Sequence, residues 1–311
     1  MIITQNYLQT RNKIKMQIET IGVIGASGYV GQAVTEGFCE KFDVETYDIK
    51  PKDRTCNSLV ELAKLTNIFF ICVPTPMNKD GSCHTNIVET IVKNLDVIAC
   101  NREKDPQFIA VIKSTIPPGT TKRLNNETKR ITCVHNGEFL TEANFIEDFL
   151  NQDRIIIGGP RPASTVVRTL YNKAFPNIKT IKTSSTMSEL VKYFTNCFLA
   201  TKLSFANEFY QVCEALDEDY DKVLEYALYD KRLGQTHFSV PSNETHPETG
   251  TLLRGWALAC FPKDLNAMIS LAKSLDIDPK VMQAVWDKNC EVRQYHDWND
   301  LVGRAVVDEQ D

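Results

Sequence analysis

The chain lacks a long apolar run. No stretch of its 311 residues approaches the ~20 consecutive apolar residues of a membrane-spanning helix, so no membrane partner is expected. It lacks paired cysteines. Ten are present with no C-x-x-C spacing, which argues against a disulfide framework and a zinc site. No metal is expected, and a reducing cytoplasm is the compartment that fits. A basic excess is missing too. Lys and Arg total 35 against 40 Asp and Glu, for a net charge of −5, so no nucleic-acid footprint is present and an anionic ligand needs a local cluster of Lys and Arg. There is no internal repeat and no low-complexity tract. The hydrophobic fraction of 42% and the charged fraction of 24% are ordinary for a soluble globular protein, and the length allows two domains with their own cores. Residues 1–19 carry Arg11, Lys13 and Lys15 without a continuous apolar core, so they do not read as a signal peptide. They are expected to be an N-terminal extension, either disordered or arising from an upstream start, with Met16 just ahead of the first strand.

What is present alternates between two periods. Short apolar strands are predicted at Ile21–Gly25, Val44–Ile49, Ile68–Val73, Phe108–Ile112, Ile131–Val134 and Arg154–Ile157, with another near Ile178–Ile181. Helical patterns fill the gaps. Alternation of this kind predicts an α/β fold, a Rossmann-type doubly wound parallel sheet with ligands at the carboxyl ends of its strands, over residues 20–183. Beyond residue 184 the texture changes. From Met187 to Leu216 there is neither Gly nor Pro and apolar residues recur at helical spacing, which predicts one long helix. Further helices are expected at Tyr220–Tyr229, Lys263–Leu275 and Pro279–Tyr295, giving an all-helical second domain over 184–311. The polar stretch of about 230–259 reads as a long loop, functional or disordered.

Gly25, Gly28 and Gly31 follow the first strand and open a helix. Small residues there, with Tyr29 and Val30 between them, let backbone approach a pyrophosphate, whose charge the helix N-terminus stabilises. Asp48 ends the second strand about 20 residues on, where an acid binds ribose hydroxyls and repels a 2′-phosphate; the alternative is a solvated strand-end acid. The cofactor expected is NAD. The spacing G-x-x-G-x-x-G is shared by extended short-chain reductases and some acyl-phosphate reductases. The short-chain class needs a Tyr-x-x-x-Lys pair, which is absent.

In Cys260-Phe261-Pro262-Lys263-Asp264 a thiol stands two residues before a proline suited to the first turn of a helix. The helix dipole and Lys263 both favour thiolate there, so the spacing predicts an activated nucleophile; a lone cysteine before a helix is otherwise a small buried apolar residue. Lys192 and Asn196, four apart, share one face of the long helix. Glu138 and Glu142 are also one helical turn apart, a spacing that equally describes a solvated face.

These segments converge on one resemblance. In order, they are Gly28-Tyr29-Val30-Gly31, Val73-Pro74-Thr75-Pro76, Ser114-Thr115-Ile116-Pro117-Pro118-Gly119-Thr120, Glu138-Phe139-Leu140-Thr141-Glu142 running on to Asp153-Arg154, Glu189-Leu190-Val191-Lys192-Tyr193 through Asn196 to Glu208, Asp230-Lys231-Arg232-Leu233-Gly234, and the Cys260 pentapeptide. Together they resemble the UDP-glucose 6-dehydrogenase family of nucleotide-sugar dehydrogenases over roughly residues 20 to 300. The resemblance implies a four-electron oxidation of a nucleotide sugar by two NAD, with Cys260 capturing the aldehyde. It implies Lys192 and Asn196 as donors to the C6 oxyanion and Glu138 as the base for hydrolysis, with Asp264 organising the water or the thiol proton. Thr75, Thr115, Glu142 and Lys263 would approach the cofactor. Phe139, Leu140, Arg232, His237 and Gly255 would face the substrate, although a histidine in a polar loop is otherwise simply solvated. In relatives the arginine can come from a partner subunit, so a homodimer through the long helix is expected.

The chain departs from the pattern in places. Gly137 replaces a proline before the base glutamate, and Gly255-Trp256-Ala257-Leu258-Ala259 keeps only the first of the glycines usual before the cysteine. Ser242–Thr251 reads as extra loop. The third domain of most relatives is not in the chain, as in some short versions. UDP-glucose is the substrate expected. A GDP-mannose enzyme, a binding protein without turnover and a different thiol-dependent aldehyde or acyl reductase are the alternatives.

Overall fold

The computed structural model describes residues 18–308 apart from 51, 53 and 103–106, so most of the expected N-terminal extension lies outside the described residues. Seven strands form one sheet: β1 (Thr20–Ile24), β2 (Asp43–Tyr47), β3 (Ile68–Ile71), β4 (Phe108–Ile112), β5 (Ile131–His135), β6 (Arg154–Gly158) and β7 (Lys179–Thr183), in the order β2-β1-β3-β4-β5-β6-β7. The inner strands Ile68-Phe69-Phe70-Ile71 and Phe108-Ile109-Ala110-Val111-Ile112 are buried along their whole length, as a parallel sheet covered on both faces requires. The two edge strands, β2 and β7, are more polar and more exposed.

The wholly parallel sheet expected from the alternation is corrected at one junction. β6 meets β5 antiparallel, through His135 and Gly158, while β6 and β7 are parallel to each other. The chain leaves β5 at the carboxyl edge of the sheet. The helix that follows, Phe145–Leu150, stays on that side and packs against the helix Tyr29–Cys39, so the chain returns toward β5 from beyond it. The layer helices are α1 (Tyr29–Cys39), α2 (Leu59–Leu65), α3 (Asn86–Cys100), α4 (Thr120–Glu127), α5 (Phe145–Leu150) and α6 (Ala163–Ala174). Phe38 of α1 is the centre of one core, ringed by Phe70, Phe149, Tyr171 and Phe175.

The long helix α7 spans Ser185–Ala215 and begins where the Ser184 hydroxyl accepts from the Met187 amide at 3.2 Å. Its first turns belong to the sheet layer. The buried carboxylate of Glu189 accepts the Gly119 and Thr121 amides at 2.6 and 2.9 Å, capping α4. Further along, Ala200 packs with Trp256, Leu265 and Val285, beside α8 (Tyr220–Ala227), α9 (Cys260–Ser274) and α10 (Lys280–Val292). α9 begins at the cysteine itself rather than at Lys263, and α10 ends at Val292 rather than Tyr295. The expected long loop holds one short 3-10 turn, Lys231–Leu233, and is otherwise irregular with a bridge between Thr245 and Leu252. The last described residues fold back onto the sheet layer. Met77 donates to the Ala305 carbonyl at 2.8 Å and Val307 donates to that of Met77 at 3.0 Å.

Candidate active site

A cavity of about 970 Å³ lies at the carboxyl ends of β1, β3 and β4. It runs from Asp48 past Gly25–Tyr29, Thr75 and Thr115 to Glu138, Cys260 and Lys263, with Val302, Gly303 and Arg304 on the opposite wall. The glycine loop is close-packed. Gly25 has φ +84°, and a Cβ there would stand 2.7 Å from the Cys72 carbonyl oxygen. A Cβ on Gly31 would stand 2.2 Å from the Gly25 oxygen. No side chain caps α1, which leaves its first amides for an anion at the cavity. Asp48 accepts from the Ser27 and Lys50 amides, both at 2.9 Å. Burial alone would raise its pKa, but these bonds outweigh it and hold the carboxyl below its ordinary value. A glycine cradle at a helix N-terminus beside an ionised strand-end acid fits NAD: pyrophosphate on the amides, ribose hydroxyls on Asp48. Thr75 Oγ1 donates to the Thr115 carbonyl at 2.7 Å, tying together the two strand-end loops under that path.

The far end of the cavity is chemical. Cys260 is the first residue of α9, and its sulfur lies 3.6 Å from the Tyr29 hydroxyl. Lys192 Nζ donates to Glu138 Oε1 at 3.0 Å, and Glu138 Oε2 accepts the Leu140 amide at 2.7 Å. Asn196 donates to Asp264 Oδ2 at 2.6 Å while Lys263 Nζ holds Oδ1 at 2.5 Å. Two buried cation–carboxylate pairs therefore bracket the thiol. Burial would push Glu138 up, but Lys192, the Leu140 amide and Lys113 outweigh it and its pKa is held down. Burial pulls Lys263 down, yet Asp264 and the thiols hold its pKa above the ordinary value.

One expectation fails here. The helix terminus and Lys263 were expected to lower the thiol's pKa, but burial dominates and raises it, against the pull of Lys263 and Lys192. Lys263 spends much of its field on Asp264. The one-turn relation of Glu138 and Glu142 also fails. Residues 136–141 are irregular, turned by the Glu138–Leu140 bond and by Thr141 donating to Asp148 at 2.7 Å. Glu142 pairs with Arg304 at 2.5 Å instead of lining the cavity.

Val30 lines the cavity beside Tyr29. Phe139 and Leu140 face a second cavity of about 460 Å³ that shares Lys113 and Glu138 with the first. Arg232 stands outside both, its side chain 88% exposed and paired with Asp230. His237 is half-buried against Phe261, its ring centre 6.0 Å away, and lines neither cavity. Gly255, at φ +73°, donates to Asn207 at 3.1 Å, and a Cβ there would meet Asn289 Oδ1 at 2.4 Å, so its need for glycine is structural. Two residues went unforeseen. Lys113 follows the apolar run Phe108–Ile112, and a cation closing a buried strand was a legible signal. Arg304 had none, because it reaches the site only through the fold-back of the last residues. Among the described residues, no group of three or more His, Cys, Asp or Glu is placed to hold a metal ion, and no helix is long and apolar enough to cross a membrane.

The chain matches two models of one family, the UDP-glucose/GDP-mannose dehydrogenase family: the NAD binding domain over residues 53–175 and the central domain over 186–291. A UDP-glucose 6-dehydrogenase of Rickettsia bellii is 33% identical over 237 residues, covering 74% of this chain and 51% of that protein. A UDP-glucose 6-dehydrogenase of Bacillus subtilis, TuaD, is 29% identical, covering 75% and 48%. The solved structure of a UDP-glucose dehydrogenase from the hyperthermophilic archaeon Pyrobaculum islandicum superposes with a TM-score of 0.78 at 28% identity, over 89% of this chain and 69% of that one. The chain spans about half the length of the curated relatives it matches. With a dinucleotide cradle and two family models meeting on one chain, this protein belongs to the UDP-glucose/GDP-mannose dehydrogenase family.

Proposed function

We propose that the chain oxidises the C6 alcohol of UDP-glucose to the carboxylate of UDP-glucuronate, with Cys260 as nucleophile. The observation that carries this reading is a thiol between two buried cation–carboxylate pairs at the inner end of a dinucleotide-shaped cavity. NAD⁺, when bound, is the two-electron acceptor and is used twice per sugar. In the first oxidation the C6 hydroxyl releases its proton to water as the hydride leaves, while Lys192 and Asn196 hold the C6 oxygen as it gains negative charge. The Cys260 sulfur then bonds to the aldehyde carbon, and Asp264 takes up the thiol's proton. The second oxidation turns this thiohemiacetal into a thioester. Glu138 then takes a proton from water as the new C–O bond forms, and the C–S bond breaks to restore the thiol. In sum, one alcohol, one water and two NAD⁺ give one carboxylate, two NADH and three protons.

Thr75, Thr115, Lys263 and the α1 terminus would hold the cofactor. Phe139 and Leu140 would shape the substrate side. The chain would divide at residues 183/184 into a cofactor domain and a helical domain. An exposed aromatic stripe on α7, Phe194, Phe198, Phe205 and Phe209, supports a homodimer, and the exposure of Arg232 outside its own cavity fits a role in a partner's site. The cytoplasm is the compartment we assign.

The test is a nucleotide-sugar panel scored by NADH yield. UDP-glucose is expected to give two NADH per sugar, and Cys260→Ser should stall. A larger yield with GDP-mannose would reassign the substrate. A second reading, a dinucleotide- and sugar-binding protein without turnover, is favoured by Leu258, which adopts φ +60° two residues before the thiol, a backbone conformation that favours glycine. NAD binding without NADH from any nucleotide sugar would select it.

A further inference from the structure

We propose that the outer edge of the sheet carries an anion site, built from Arg161, Arg168 and Lys182 around the Thr165 hydroxyl, that takes a phosphate-type dianion, either inorganic phosphate or a phosphomonoester. The site lines neither of the two cavities and does not depend on the oxidation proposed for them. Charge distribution marks the place. The chain has a net charge of −5, yet residues 154–188 hold Arg154, Arg161, Arg168, Lys173, Lys179 and Lys182 and no Asp or Glu. Elsewhere on the surface cations have acid partners: Arg123 has Glu89 and Glu127, Arg254 has Glu214, and Lys288 has Glu291. Arg161, Arg168 and Lys182 have no carboxylate partner among the described residues.

The fold brings these three cations together. Thr180 and Lys182 share one face of the edge strand β7, and two bonds align that face with α6. Lys182 Nζ donates to Thr165 Oγ1 at 2.6 Å, and Thr180 Oγ1 donates to Asn172 Oδ1 at 3.0 Å. Thr165, Arg168 and Asn172 are spaced i, i+3 and i+7, so Arg168 stands on the helix face between the two bonds. Arg161 stands just ahead of the helix, which begins at Ala163. Partial burial first, then the fields of Arg161 and Arg168, pull the Lys182 pKa below its ordinary value. Three like charges are thus held close, a cost that a bound dianion removes. One ammonium and two guanidinium forks can serve the several oxygens of a single tetrahedral group. Arg154 and Lys173 of the same segment lie over the rings of Phe139 and Phe42, whereas these three cations lie over no ring among the described residues. Single-stranded nucleic acid is held by a charged track together with stacking rings, so the compact phosphate is the better match. Lys182 also stands two residues ahead of Ser184, the cap of α7. A ligand that ties α6 to the end of β7 therefore steadies the strand from which α7 departs.

The test is thermal denaturation of the full chain with saturating NAD⁺, which occupies the α1 terminus. Inorganic phosphate and glycerol 3-phosphate are titrated against chloride of equal ionic strength. Arg161→Gln combined with Arg168→Gln is the comparison protein, because both side chains are exposed. The wild-type melting temperature should rise by about 2 °C at ten times the half-saturating concentration and then level off. The double variant should show only the unsaturated drift that phosphate gives folded proteins in general. A wild-type response to inorganic phosphate alone names the free ion as the ligand, and a response to the ester at lower concentration names a phosphomonoester. Parallel curves for wild type and variant would overturn the proposal. So would a wild-type curve in both phosphates that coincides with the one in chloride.

Discussion

Lys192 and Glu138 form a buried ion pair, 3.0 Å apart, between the long helix and the segment after β5. The pair joins the helical layer to the sheet layer at the point where the chemistry is proposed. On this reading a sugar C6 oxygen competes with Glu138 for the lysine, and the glutamate becomes a better base as the substrate arrives. Glu138→Gln should therefore still pass through both oxidations but stall before hydrolysis. The expected signature is a burst of NADH followed by turnover slower by roughly 10²–10⁴-fold, with a uronyl thioester on the Cys260 peptide by mass spectrometry. Lys192→Ala should behave differently. It leaves a carboxylate buried without its cation, so a loss of about 3 kcal/mol or more in chemical denaturation is expected together with the loss of activity.

Asp48 sits at the other end of the cavity, with its two amide bonds fixing its orientation. Replacing it with serine should remove both the ribose contact and the repulsion of a 2′-phosphate. KM for NAD⁺ should rise about tenfold while kcat changes little, and the preference for NAD⁺ over NADP⁺ should shrink. Initial rates with the two cofactors check this. A rise in KM with unaltered discrimination would show that the acid holds the loop rather than the ribose.

Much of this arrangement was legible in the sequence because it rests on local pattern. The strand–glycine–helix junction, the wholly apolar β3 and β4, and the Gly- and Pro-free α7 each follow from steric or hydrophobic periodicity within one segment. Lys192 and Asn196 could be placed together because helical spacing fixes i and i+4 on one face. The failures share a cause in relations between segments. The sign of the Cys260 shift depends on burial and on Asp264 answering Lys263. The antiparallel entry of β6 depends on where α5 finds its packing partner. Arg304 reaches Tyr29 only after residues 297–307 have docked along Met77.

Lys113 offers a prediction in pH. It is buried behind Glu138, donates to Asn136 Oδ1 at 3.1 Å, and burial lowers its pKa to about 8. Between pH 8 and its ordinary value of 10.5 the unfolded chain binds more protons at this site than the folded one, so its contribution to stability improves as pH rises through that window. Below pH 8 the full cost of the buried charge is present. Lys113→Met keeps the stem volume, and the Tyr171 hydroxyl still satisfies Asn136. The variant should gain stability relative to wild type near pH 7, and the gap should close toward pH 10. Denaturant titrations at three pH values under reducing conditions, read as a difference, remove the cysteine titrations common to both proteins.

The outer face of α7 is the surface on which the proposed homodimer depends. Phe194 and Phe198 stack with centroids 6.1 Å apart, and Phe205 and Phe209 lie 5.9 Å apart, a pair of i, i+4 contacts that leaves Phe194 73% and Phe205 62% exposed. The opposite face of the same helix buries Lys192, Asn196, Ala200 and Ser204. A charge on the aromatic face should thus break association without touching the site. Phe198→Glu combined with Phe205→Glu is expected to give a monomer in sedimentation velocity with an unchanged far-UV spectrum. If Arg232 serves the partner's cavity, the monomer should lose affinity for the nucleotide sugar while keeping its affinity for NAD. Mixing makes the stronger test. Arg232→Ala and Cys260→Ser subunits, each inactive alone, should together recover about a quarter of the wild-type rate, because half of randomly formed dimers are mixed and each mixed dimer holds one intact site. A mixture as inactive as its components would place the arginine in its own subunit's reaction, and an Arg232→Ala protein active by itself would place it in none.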